Sequence, residues 1–216
     1  YLFVRRPDGY VGKPPALGTS VFGLTTGAGS TSRPSFVPNF PVDFNILRKP
    51  EEAGQDWQTS ARLIGPKAIY ANLSNAEQGH SDYQAWLWKR HAGFDVVAAK
   101  GGQNKRIAHS LSKIPEMYWV KNRDAAEIWS VYHKGLNGGT NPENRYIALN
   151  SDGGESGSDT SAWNSFVPTS THISFGTMDI TGGNSSHDYL VMLFASISGI
   201  SKVGYYDGSD SAQTIT

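Results

Sequence analysis

Residues 83–102, YQAWLWKRHAGFDVVAAKGG, lie without a gap over residues 189–208, YLVMLFASISGISKVGYYDG. This pairs Tyr83 with Tyr189, Leu87 with Leu193, Gly93 with Gly199, Val97 with Val203 and Gly102 with Gly208. A chain that repeats itself must fold each copy on similar terms, so this self-similarity restricts the architecture more than length does. Three further blocks keep the same order. KAIYANLSNAE at 67–77 lies over RYIALNSDGGE at 145–155, pairing Ile69 with Ile147, Asn72 with Asn150 and Glu77 with Glu155. FPVDFNILRK at 40–49 matches IPEMYWVKNR at 114–123 as an entrance proline, an apolar run and a basic exit, with Trp57 and Trp129 following at similar distances. VFGLTTGAG at 21–29 echoes the strand and glycine turn of 93–102, so the element that closes one copy also opens the next.

The copies differ at one place. After Glu77 the first reaches its closing strand in six residues, whereas after Glu155 the second spends 34 on SGSDTSAWNSFVPTSTHISFGTMDITGGNSSHDY, which holds at least one extra strand, THISFGTM. Helical periodicity is weak throughout. Strands are predicted at 2–5, 21–26, 42–47, 57–63, 67–73, 84–89, 94–99, 116–121, 128–133, 145–150, 171–176, 189–197 and 200–206. Their spacing, with glycine and proline turns between, suits a sandwich or barrel better than βαβ units. In AWLWKR the period of two puts Trp86 and Trp88 on one face and Leu87 on the other, a strand buried on at least one side. The fold class is all-β: two tandem β-sandwich modules of jelly-roll or lectin-like type, residues 1–93 and 94–216, with one larger jelly roll as the alternative.

Composition narrows the function. Lys plus Arg and Asp plus Glu both number 19, so no charge excess favours nucleic acid or an anionic membrane surface. The chain has no cysteine, which removes disulfides, thiolate zinc sites and thiol nucleophiles together. The longest apolar run, YLVMLFASISGI at 189–200, falls short of the roughly 20 residues a bilayer-spanning helix needs and is read as a buried strand. No signal-peptide pattern follows Tyr1, and the chain is expected to be processed or part of a longer protein.

Chemistry-bearing patterns are sparse. The six histidines lack HExxH spacing, and no nucleophile elbow, phosphate loop or E-x-D-x-E strand occurs, so no catalytic residue and no cofactor is assigned. A glycan-cleaving sandwich needs two acids about 5–10 Å apart. Glu51 and Glu52, being adjacent, would face opposite sides of a strand. Asp152, Glu155 and Asp159 in the loop SDGGESGSD are the one candidate set of Ca²⁺ ligands, although the spacing is not that of an EF-hand and a solvated turn is the simpler reading. Trp163, Tyr205 and Tyr206 stand among Asn, Ser, Asp and Gly instead of in apolar alternation, which makes them the candidate sugar-stacking residues.

The strings GFDVVAAKGG, IAHSLSKIPEMYWVKNRD, WSVYHKGLNGGTNPENRYIALN, AWNSFVPTSTHISFGT and YLVMLFASISGISKVGYYDGS together resemble a repeat domain of virion structural proteins of tailed, especially marine, phages. The likeness is close over 94–208 and looser over 21–93, where the WNSFVPTS segment is missing. It implies a non-enzymatic virion protein, a tail fibre, appendage or surface decoration, acting in assembly or host attachment. Its implied partners are further copies of itself, other virion proteins and host-surface glycan, with neither nucleic acid nor membrane insertion. A carbohydrate-binding adhesion module and a glycan-cleaving β-sandwich enzyme are the alternatives. Such repeats run on past a turn like the one at GYYDG, in keeping with a longer parent chain.

Overall fold

A computed structural model describes residues 13–25, 38–48, 56–65, 67–71 and 84–206. The predicted strand at 2–5, the pairings made by Tyr83, Asn72 and Glu77, and the residues Glu51 and Glu52 lie outside the described residues. Among the described residues the regular structure is β, apart from short 3-10 turns. In chain order the strands are β1 (Phe22–Thr25), β2 (Phe44–Arg48), β3 (Gln58–Ala61), β4 (Ile69–Tyr70), β5 (Gln84–Trp88), β6 (Phe94–Lys100), β7 (Arg106–Ala108), β8 (Met117–Asn122), β9 (Ser130–His133), β10 (Ile147–Ala148), β11 (His172–Ser174) and β12 (Asp188–Phe194).

They form three antiparallel sheets. The first has the order β1-β5-β2-β3-β4, the second β10-β9-β8-β12-β6, and β7 pairs with β11 in a two-stranded third. The first two sheets draw on opposite sides of the turn at 89–93, and each follows the same rule: its opening strand pairs with its closing strand, and the closing strand with the next to form. Ladder register gives a refinement. Ile46 stands opposite Trp86 and Trp119 opposite Met192, so β2 and β8 correspond one residue away from the pairing that sequence alignment gives. A shift of one residue exchanges the faces of a strand, which makes the ladder the better guide.

Alternation then decides what each face buries. Phe44, Ala61, Ile64 and Ile69 of the first sheet and its flank meet Phe94, Val96, Trp129, Leu190 and Met192 of the second in one apolar cluster, with Trp88 and Trp119 packed at its margin. The sheets therefore form a β-sandwich with a shared core. The Trp129 indole N–H crosses this interface to the Tyr70 carbonyl at 2.8 Å. The other face of the second sheet carries Tyr118, Val120, Tyr132, Tyr189, Val191 and Leu193 and is covered by Ile107, Leu111, Trp163, Ile173 and Phe175, so β12 is buried on both sides. That cover includes the long insert, whose extra strand is β11. The outer face of the first sheet holds a smaller cluster of Phe40, Leu47, Ala85 and Leu87.

Two expectations need correction. The segment 200–206 is not a strand: Ile197 and Ser201 make an isolated bridge, after which residues 202–206 continue without a ladder. No strand pairs with them among the described residues, and an unpaired strand has no ladder hydrogen bonds to hold it straight. Conversely β7 was not predicted, because it is three residues long with only Ile107 buried, too short to show alternation.

Candidate functional site

Where the sheets diverge, the sandwich opens into a groove of about 690 Å³ lined by Ile46, Trp57, Trp86, Trp88, Trp119 and the loop Leu149–Asp152, with Ala71 at its edge. This volume lies within the roughly 300–1,000 Å³ of small-ligand sites. Each tryptophan arrives by a simple route. Trp86 and Trp88 are two apart on β5, so both leave the inner face, and Ile46 joins them from the neighbouring β2. Trp57 sits just before β3, where its ring lies 5.1 Å from that of Trp86 at 40°. Trp119 comes from β8 of the opposite sheet and leans on Phe194 at 4.9 Å. Four of the chain's six tryptophans thus meet in one groove, each half-buried.

The remaining wall is polar. Trp129 donates its backbone N–H to Asn150 Oδ1 at 2.9 Å, which anchors the start of the loop, while Ser151 and Asp152 are exposed at the rim. On the first sheet, the Arg48 guanidinium lies over the Trp57 ring at 5.2 Å from its centroid, and its buried Nε has no hydrogen-bond partner among the described residues. Flat apolar rings beside amide, hydroxyl and charged groups can hold a ligand that itself has apolar faces and polar edges.

The residues singled out from sequence are scattered. Trp163 is fully buried in the cluster over the second sheet, meeting Tyr118 edge-on at 4.9 Å and donating its indole N–H to the Arg145 carbonyl at 2.8 Å. It is a packing residue with a satisfied polar handle, and the expectation that it stacks on a sugar is corrected. Tyr205 and Tyr206 are 64% and 65% exposed and are not among the groove's lining residues; Tyr205 meets the His133 ring edge-on at 6.0 Å. The three acids do not converge. Glu155 accepts the Asn137 N–H at 2.7 Å and faces Arg145, and Asp159 is capped by the Ser161 hydroxyl and N–H, which hold its carboxyl below the usual range. Asp152 lines the groove. Their side chains answer to separate local donors, and no group of three or more His, Cys, Asp or Glu able to hold a metal occurs among the described residues.

The groove was missed because its tryptophans read as buried strand residues. A signal was present in the alignment itself: Trp86 and Trp88 fall on Met192 and Phe194 of the segment 189–208. Met192 is fully buried and Phe194 packs on the shared core, so these positions need apolar side chains but not indoles.

No curated protein and no solved structure matches the chain. A family model described as a domain of unknown function, DUF7483, matches residues 67–215, from the approach to β4 onward. The chain belongs to that family.

Proposed function

We propose that the chain is a non-catalytic attachment protein on the surface of a tailed-phage particle, built from two tandem copies of one β unit, 1–93 and 94–216. The observation that carries attachment is the groove: four tryptophans held half-exposed at one place, where a packed core would bury them. The virion setting rests on the resemblance of the repeat strings.

The duplication is supported by hydrogen bonds that recur in both sheets. Asp43 takes the Arg90 N–H on its carboxylate, pairs with Arg62 and donates its own N–H to the Trp88 carbonyl. Glu116 does the same with the Ser196 N–H, Lys134 and the Phe194 carbonyl. Lys89 N–H to Val21 O is repeated by Ala195 N–H to Gly93 O, and Ala71 N–H to Trp57 O by Leu149 N–H to Trp129 O. An acid at a strand entrance, reached by the turn that leaves the closing strand, is a specific device to find twice.

Each site on such a particle need bind only weakly, since many copies presented together raise avidity without new contacts. Assembly with further copies is a second reading, favoured by edge strand β1, where Phe22 and Leu24 are 41% and 59% exposed. The test of attachment is retention of the chain, multimerised on beads, by host-cell envelopes. Binding that disappears in Leu149→Arg, which blocks the groove from an exposed position, supports the proposal; equal retention of both forms contradicts it.

A further inference from the structure

We propose that the groove binds an uncharged glycan chain, with sugar rings stacked on Trp57, Trp86 and Trp119 and hydroxyls turned to Asn150, Ser151 and Asp152. This rests on the attachment reading and goes further by naming the ligand class. A pyranose has an apolar C–H face and a rim of hydroxyls, the complement of flat indoles bordered by amide, hydroxyl and carboxylate groups. The site is too large for a single small cation. A quaternary ammonium needs one aromatic box with a ring centroid within about 6 Å, whereas about 690 Å³ spread over four indoles accommodates several rings in succession.

Charge argues in the same direction. Asp152 is exposed at the rim and repels an acidic polymer, and Arg48, a cation next to the groove, already rests on the Trp57 ring. An acyl chain would use the indoles but would desolvate the Asn150–Asp152 rim without replacing its hydrogen bonds to water. The asymmetry between the two sheets points to a ligand of some kind: the places of Trp86 and Trp88 are filled by Met192 and Phe194 in the second sheet, where the same strand face is closed by packing.

The test uses the full chain with a length series of neutral gluco- and N-acetylglucosamine oligosaccharides, read by intrinsic tryptophan fluorescence and calorimetry. The expected result is a saturable fluorescence change, affinity that rises with chain length and then levels, and little dependence on salt. Trp86→Ala weakens binding by about tenfold or more, as expected of a buried aromatic contact. Leu149→Arg abolishes it without touching the core, since Leu149 is 40% exposed. The proposal is overturned if no neutral glycan binds, if both variants bind normally, if acidic polysaccharides bind more tightly with a steep salt dependence, or if choline or acyl-chain ligands give the fluorescence change instead. A wild-type chain that host envelopes retain but that binds no neutral glycan would remove the ligand class and leave attachment standing; a wild-type chain that does neither would remove attachment as well.

Discussion

At the scale of single residues, His91 shows how the turn between the two sheets is held. Its Nδ1 accepts the Gly93 N–H at 3.0 Å, which requires that nitrogen to be unprotonated. Burial first, and the neighbouring Lys89 second, lower its pKa from 6.5 to about 4. A base with a depressed folded pKa binds its proton more readily when unfolded. Its contribution to stability is therefore complete above about 6.5 and is lost as pH falls toward 4. The melting temperature of the wild type should drop between pH 6.5 and 5 by more than that of His91→Gln. Parallel curves for the two proteins would show that the imidazole is not responsible. Residue roles were the least legible part of the sequence. Trp163, set among Asn and Ser, looked exposed, yet the insert folds back over the second sheet and buries it. Trp86 and Trp88, in an alternating strand, looked buried, yet the sheets part above them. Both outcomes depend on how sheets meet, which local patterning does not encode.

At the scale of elements, alternation and turn residues located most of the strands. The ordered blocks placed β2, β4, β5, β8, β10 and β12 near their observed positions because a strand buried on one or both faces must show its apolar residues. Short elements escaped this logic: β7 owes its existence to pairing with β11 across Ile107 and Ile173, a contact between residues far apart in the chain. Close backbone approach beside that strand pair explains one glycine. A Cβ on Gly176 would lie 1.9 Å from the Ser161 carbonyl and 2.2 Å from that of Ala162, neither of which can turn aside as a flexible side chain would. Gly176→Ala should cost about 1–3 kcal/mol, the usual penalty for forcing extra volume into packed structure. Urea denaturation reads the loss, and an unchanged midpoint would mean that the 159–163 loop yields without strain.

For the whole molecule, the shared core makes the two sheets one stability problem. Trp129 stands at its centre, fully buried, with its indole bound to the first sheet and its backbone to the loop that lines the groove. Trp129→Ala should destabilise by about 3–5 kcal/mol, and both sheets should be lost in one transition. Near-ultraviolet circular dichroism and calorimetry would then coincide; two separated transitions would show that the sheets fold independently. The all-β class and the ordered internal similarity were visible in the sequence, because both rest on patterns that a single chain displays. The groove was not, since it belongs to neither sheet alone and arises only where one packs on the other.

The central claim is that this junction is the recognition surface, and the indole N–H signals of a ¹⁵N-labelled sample test it most directly. Six are expected, one per tryptophan. Titration with a neutral oligosaccharide should move those of Trp57, Trp86, Trp88 and Trp119 while leaving Trp129 and Trp163, whose N–H groups are bound to the Tyr70 and Arg145 carbonyls, in place. Six unmoved signals, or movement confined to Trp129 and Trp163, would contradict it.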